Sequence, residues 1–81
     1  MYYVYMIKNS YNNLYIGVTD EPQRRLAEHN SGRGAYYTKF KSEFKIVFLE
    51  THATLASARK REIQIKKWRR DKKEKLISMW T

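Results

Sequence analysis

Residues 2–19, YYVYMIKNSYNNLYIGVT, decide how this chain folds. Tyr2 to Ile7 and Leu14 to Val18 are β-branched, aromatic or aliphatic, and Ser10 to Asn13 between them is turn material, so the stretch reads as a β-hairpin. Successive side chains of a strand point to opposite faces. With an odd number of residues in the connecting loop, Tyr3, Tyr5 and Ile7 share a face with Tyr15, Gly17 and Thr19, while Val4, Met6, Leu14, Ile16 and Val18 share the other. One face is aliphatic and the other phenolic. Gly17 opposite Tyr5 meets a need for close approach, because a side chain there would take space that a phenol or a phosphate requires. The plain alternative is a strand glycine that relieves crowding.

Working outward from the hairpin, Asp20 and Pro22 signal a helix start, and RRLAEHN carries that helix to a stop before Gly32 and Gly34. Its Leu26 and Ala27 face the sheet in this reading, and Arg25 and His29, four apart, line one edge within reach of a common ligand. FKIVFLE supplies a third strand from about Phe44 to Glu50, whose sheet neighbours the sequence does not specify. Thr54 or Thr51 starts the longest helix, LASARKREIQIKKW, and EKLISMW after Asp71 makes a last one with Leu76, Ile77 and Trp80 turned inward. At about 100° per residue, Leu55, Ala58, Glu62 and Ile65 fall within about 80° of one another, which puts a carboxylate inside an apolar stripe. Either Glu62 leans out to pair with Arg59 or Lys66, a contact of only ~0.2 to 0.5 kcal/mol, or it is held there for chemistry.

Eighty-one residues make one domain, spanning 1–81, so any site shares its single small core. The chain has no cysteine and only two histidines, which excludes a disulfide framework, a thiolate metal site and a histidine zinc cage and suits a reducing, cytoplasmic setting. No signal peptide and no membrane-spanning run are legible. Seventeen basic residues against eight acidic give a net charge of +9 and a pI near 9.9. Residues 59–75, RKREIQIKKWRRDKKEK, hold ten of the basic residues and three of the acids. Basicity so concentrated favours a polyanionic partner, nucleic acid before a membrane surface, over an ordinary solvated helix face.

Phosphodiester hydrolysis needs a proton acceptor for the attacking water, cationic charge on the phosphoryl oxygens and usually a divalent ion. Tyr5 and Tyr15 on one sheet face, Arg25 and His29 on the first helix, and Glu62 on the long helix supply each of these. The same residues carry a resemblance. Tyr3-Val4-Tyr5, then Tyr15-Ile16-Gly17, Arg25, His29 and Glu62 in that order make the chain resemble the GIY-YIG nuclease family along almost its whole length, specifically its small stand-alone bacterial UPF0213-type members. Tyr3 stands where the family name has glycine, a trait of the small members.

The resemblance implies an α/β (α+β) layer with a central three-stranded antiparallel sheet flanked by helices, cutting DNA at one divalent ion, Mg²⁺ or Mn²⁺, held by Glu62. It implies that Tyr5 acts as or positions the general base, that Arg25 clamps the scissile phosphate, and that Tyr15 and His29 orient the nucleophile or share the proton transfer. A single misplaced carboxylate agrees with one ion, because two-metal nucleases need several clustered carboxylates. An ordinary tyrosine, with a pKa near ~10, needs positive charge nearby to act as a base at neutral pH; His29, near ~6.5, is the competing base. Arg33, Lys39, Lys41, Lys66, Lys67, Arg69 and Arg70 would hold phosphates, and Trp68 or Tyr36 would stack on an unpaired base. Endonuclease action on DNA in repair or recombination, with a separate protein supplying recognition, is one expectation. A catalytically inactive nucleic-acid-binding or protein-interaction module on the same scaffold is the alternative, and RNA is a further substrate class.

Overall fold

The computed structural model describes residues 1–31 and 43–80. Strands β1 (Tyr2–Lys8) and β2 (Leu14–Thr19) form the hairpin, helix α1 (Pro22–Asn30) follows, and strand β3 (Lys45–His52) leads into helices α2 (Leu55–Lys66) and α3 (Arg70–Trp80). The sheet is antiparallel throughout, in the order β2-β1-β3, which makes the fold α+β with β1 at its centre.

A five-residue connection joins the hairpin strands, and the side chains divide between the faces accordingly. Tyr3 pairs with Thr19, Tyr5 with Gly17 and Ile7 with Tyr15, while Val4 faces Val18 and Met6 faces Ile16. The turn is closed by Asn9, whose Oδ1 accepts from the backbone N–H of Tyr11 at 3.1 Å and of Asn13 at 3.0 Å. Asn12 takes a φ of 68°, a left-handed conformation that asparagine tolerates better than most residues. β3 pairs on the other side of β1, with a shift between Met6 and Ile7: Met6 faces Phe48, Ile7 faces Ile46, and Val47 is the extra residue of a bulge.

The aliphatic face of the sheet carries the core. Val4, Met6, Ile16 and Phe48 pack against Ala58 and Ile65 of α2 and Ile77 of α3, all buried. The phenolic face carries α1, whose His29 ring meets Tyr5 and Tyr15. Helix α2 begins at Thr54, whose side-chain oxygen accepts from the Ser57 N–H at 3.1 Å. Thr51 lies within β3. Thr54→Ala leaves that N–H without its cap and is expected to lower stability by about 1 kcal/mol in a denaturant titration, with the fold retained. Polar ties fix α2 and α3 to the sheet. Glu50 Oε1 accepts from Arg61 Nε at 3.1 Å and lies 2.8 Å from His52 Nε2, and His52 Nδ1 lies 2.7 Å from Ser57 Oγ. Lys8 pairs with Glu74 at 2.7 Å, and Arg70 donates to the Asn12 carbonyl at 2.8 Å.

Three expectations from helix wheels fail. Ala27 is exposed although Leu26 beside it is half-buried, and α1 buries no residue fully. Leu55 and Trp80, the latter 45% exposed, also stay in solvent. Leu55 is the first residue of its helix and Trp80 the last, and a wheel gives direction around an axis but not whether a helix end overhangs the surface it packs on. Helix α2 also stops at Lys66, short of Trp68.

Candidate active site

Tyr5 is the centre of the arrangement. Its ring lies across Gly17 of the edge strand β2, so close that a Cβ at position 17 would sit 2.5 Å from Oη. The missing side chain is therefore a requirement of the phenol's path, and the hydroxyl comes out over the β2 edge. There it lies 3.3 Å from His29 Nε2, within hydrogen-bonding reach. His29 is in turn braced by Tyr15, edge-on with ring centroids 4.5 Å apart, and by Phe44 at 6.1 Å. Tyr15 itself is 48% exposed, so one side of the cluster opens to solvent.

Arg25, one turn before His29 on α1, donates a hydrogen bond from Nη1 to Glu28 Oε1 at 3.0 Å. Its positive charge also acts on the Tyr5 hydroxyl and on His29. Glu62 arrives from α2, on the other face of the sheet, yet its charge is felt at Tyr5. Glu62 is only 13% exposed and still pairs with Lys66 at 3.0 Å. The pair with Lys66 thus forms without the carboxylate leaning out.

Electrostatics assign the two bases unequal states. Burial pushes the Tyr5 phenol above its ordinary pKa; Arg25 pulls it back in part, and the charges of Tyr15 and Glu62 push it further up. Positive charge near Tyr5 is present in Arg25, but desolvation outweighs the guanidinium. His29 shifts the other way: burial and then Arg25 hold it below the usual imidazole value, against a smaller opposing effect of Glu28. At neutral pH, His29 is therefore uncharged and Tyr5 is a phenol. In the tautomer that leaves Nε2 bare, Tyr5 donates to His29.

Of the proposed phosphate contacts, Arg33, Lys39 and Lys41 lie outside the described residues, as does Tyr36. Lys67 and Arg69 are exposed, and Lys66 is exposed beside Glu62. Arg70 is spent on the fold, held by Glu74 at 2.7 Å and by the Asn12 carbonyl, so it is withdrawn from the phosphate set. Trp68 packs against the core with Arg61 5.3 Å and Lys72 4.3 Å from its ring centroid. A base could stack there only by displacing cations, which corrects the stacking expectation for Trp68.

Two residues of the site went unread in the sequence. Asn30 clasps the backbone of Phe44, accepting from its N–H at 2.8 Å and donating to its carbonyl at 3.1 Å, which brings the Phe44 ring to His29. Its position directly after His29 was the available signal, but the partner is main chain 14 residues away, on which sequence carries no mark. Glu28, three residues after Arg25, was legible as a helical neighbour.

A small α+β layer in which two phenols meet an imidazole over a sheet edge, with a guanidinium one helical turn away, has equipment suited to a phosphodiester-cleaving domain. The family model described as the GIY-YIG catalytic domain matches residues 1–75, and the chain belongs to this family of nucleases, which act on nucleic acid. A UPF0213 protein of Staphylococcus saprophyticus is 40% identical over 77 residues, covering 95% of this chain and 94% of its own. A UPF0213 protein of Haloquadratum walsbyi is 40% identical over 80 residues, covering 99% and 90%. The solution structure of a UPF0213 protein from Bacillus halodurans superposes with a TM-score of 0.62 at 34% identity, over 98% of this chain and 85% of that one.

GIY-YIG nucleases are generally metal-dependent. Among the described residues, no three of His, Cys, Asp and Glu gather into a cage. The donor chemistry nevertheless fits a hard divalent ion of the Mg²⁺ kind, which keeps several waters and is commonly held by one or two carboxylates together with substrate phosphates. Glu62, mostly shielded from solvent, is the carboxylate that would hold it.

Proposed function

We propose that the chain is a metal-dependent endonuclease that hydrolyses phosphodiester bonds in DNA with one divalent ion. The contact of the Tyr5 hydroxyl with His29 Nε2, with Tyr15 against the same imidazole, is the observation that supports this reading. Glu62 would hold the ion, which when bound would supply Lewis-acid polarisation of the phosphate and of water. Tyr5 accepts a proton from the attacking water as it passes its own proton to Nε2 of neutral His29, which makes the two competing bases one relay. The oxygen of that water forms the new bond to phosphorus, the ester bond to the leaving oxygen breaks with its electron pair staying on that oxygen, and the resulting alkoxide takes a proton from solvent water. Arg25 neutralises charge on the non-bridging oxygens. Tyr15 keeps the His29 ring upright.

The purified protein is expected to nick supercoiled plasmid with Mg²⁺ or Mn²⁺ and to stop when a chelator is added. Nicking that continues in excess chelator would exclude the mechanism. The pH profile follows from the shifts. His29 must be neutral to accept the proton, and its pKa lies below the usual ~6.5, so the rate rises with pH on the acid side and is flat by neutrality. Tyr5 stays protonated past its ordinary value, so no alkaline fall from its ionisation appears below about pH 10. Stability carries the same sign for His29: the unfolded chain binds the proton more readily, so stability is full above the unfolded pKa and declines as pH falls below it. An acid limb that persists unchanged in His29→Gln assigns the titration to another group.

A further inference from the structure

Ile63 of α2 is 54% exposed. Its four neighbours on the helix surface, at i−4, i−3, i+3 and i+4, are Arg59, Lys60, Lys66 and Lys67, all exposed. Lys66 pairs with Glu62, but the side chains of Arg59, Lys60 and Lys67 have no hydrogen bond, ion pair or ring contact among the described residues. Arg61 and Arg70 on the same stretch are, by contrast, committed to Glu50 and to Glu74 and Asn12. At about 100° per residue, the isoleucine and its four cations cover about 120° of the helix circumference, turned away from buried Ala58 and Ile65. Glu62 borders this arc, about 40° beyond Lys66.

We infer that this face of α2 docks duplex DNA through its major groove, with Ile63 toward the base edges and the cation pairs Arg59/Lys60 and Lys66/Lys67 on the phosphates at either side. The inference rests on the nuclease reading for the choice of DNA and adds the surface that delivers it. Charge complementarity is local and unshared, since three of the four cations have nothing else to neutralise among the described residues. The dimensions agree. The two cation pairs stand seven residues apart, about 10 Å along the axis, and the major groove is about 12 Å wide. An isoleucine between them suits contact with a thymine methyl group. The deep, narrow major groove of duplex RNA does not admit the helix, which selects DNA. One exposed isoleucine is too little apolar surface for an interfacial membrane helix, which buries a whole face. A backbone gripped at Lys66 also lies beside Glu62, so the same contact brings a phosphate to the candidate metal ligand.

The test is binding measured by fluorescence anisotropy on a 20-base-pair DNA duplex in a chelator, across about 50 to 200 mM salt. The same titration is run on an equal duplex RNA, phosphatidylglycerol vesicles and polyglutamate. Lys60→Gln combined with Lys67→Gln is expected to reduce the slope of log K against log salt by about 1.8, or about 0.9 per lost phosphate contact. Ile63→Ser should weaken binding about tenfold and leave the slope alone, because it removes apolar burial and no charge. Lys45→Gln, on β3, should alter neither. Unchanged slope and affinity in both α2 variants, no binding of DNA by the parent protein, or equal or tighter binding of RNA, vesicles or polyglutamate each overturns the surface. The nuclease reading fails separately: a parent protein that nicks plasmid while the α2 variants bind DNA normally sinks the surface alone. One that never nicks, but whose variants lose DNA binding as described, sinks the nuclease alone.

Discussion

Glu62→Ala and Arg25→Ala are each expected to reduce plasmid nicking by about a hundredfold or more, the scale of losing one preorganised electrostatic contact to a transition state. Neither should unfold the protein. Glu62 gives up an i,i+4 pair with a well-exposed lysine, and pairs of that kind contribute only ~0.3 to 0.5 kcal/mol. Arg25 gives up an exposed i,i+3 contact with Glu28. Thermal unfolding curves of both variants should therefore nearly overlay the parent, which separates lost chemistry from lost fold. The two losses should also differ in kind. With the metal ligand gone, raising Mn²⁺ recovers part of the rate in Glu62→Ala by mass action, whereas no metal concentration replaces a guanidinium in Arg25→Ala. Nicking by both variants at the parent rate would mean that the activity comes from a contaminant or from other residues.

The sequence made the hairpin legible because side-chain alternation and an odd loop are local facts, and residues 2–19 contain both. The proline opening of α1 was legible for the same reason, and the start of α2 was narrowed to Thr54 or Thr51, of which Thr54 is the cap. What local pattern could not supply was depth. β3 had to find β1 across more than 30 residues, and nothing in FKIVFLE names its partner or its bulge at Val47. The site residues were named through joint spacing, and the geometry adds what spacing lacks: that Tyr5 and His29 touch, that Asn30 and Phe44 hold the histidine, and that burial outweighs Arg25 at the phenol. Charge can be counted in a sequence, but desolvation depends on what covers a group. The basic segment illustrates this limit too. Arg61, Arg70 and Lys72 look like Arg59, Lys60 and Lys67 until the partners are seen.

Gly17→Ala should have an effect on activity far larger than its single methyl group suggests. The new Cβ would lie 2.5 Å from Tyr5 Oη, 2.7 Å from Cζ and 2.9 Å from Cε2. Three atoms of one rigid ring are involved, so no flexible tip can step aside; the ring must swing as a unit and carry its hydroxyl away from His29 Nε2. Misplacement of a reacting group by about 1 Å is worth about a hundredfold in rate, which is the expected loss. Stability should suffer less. Overpacking costs about 1 to 3 kcal/mol, while alanine in an extended strand recovers about 0.4 to 1 kcal/mol by restricting the unfolded chain. Tyr5→Phe does not rescue the clash, because Cζ and Cε2 remain, but Tyr5→Ala does. In a double-mutant cycle the destabilisation from Gly17→Ala should therefore vanish in the Tyr5→Ala background, with a coupling above about 0.5 kcal/mol. Independent effects in that cycle, or a Gly17→Ala protein that nicks at the parent rate, would mean that Tyr5 does not work from its place over the β2 edge.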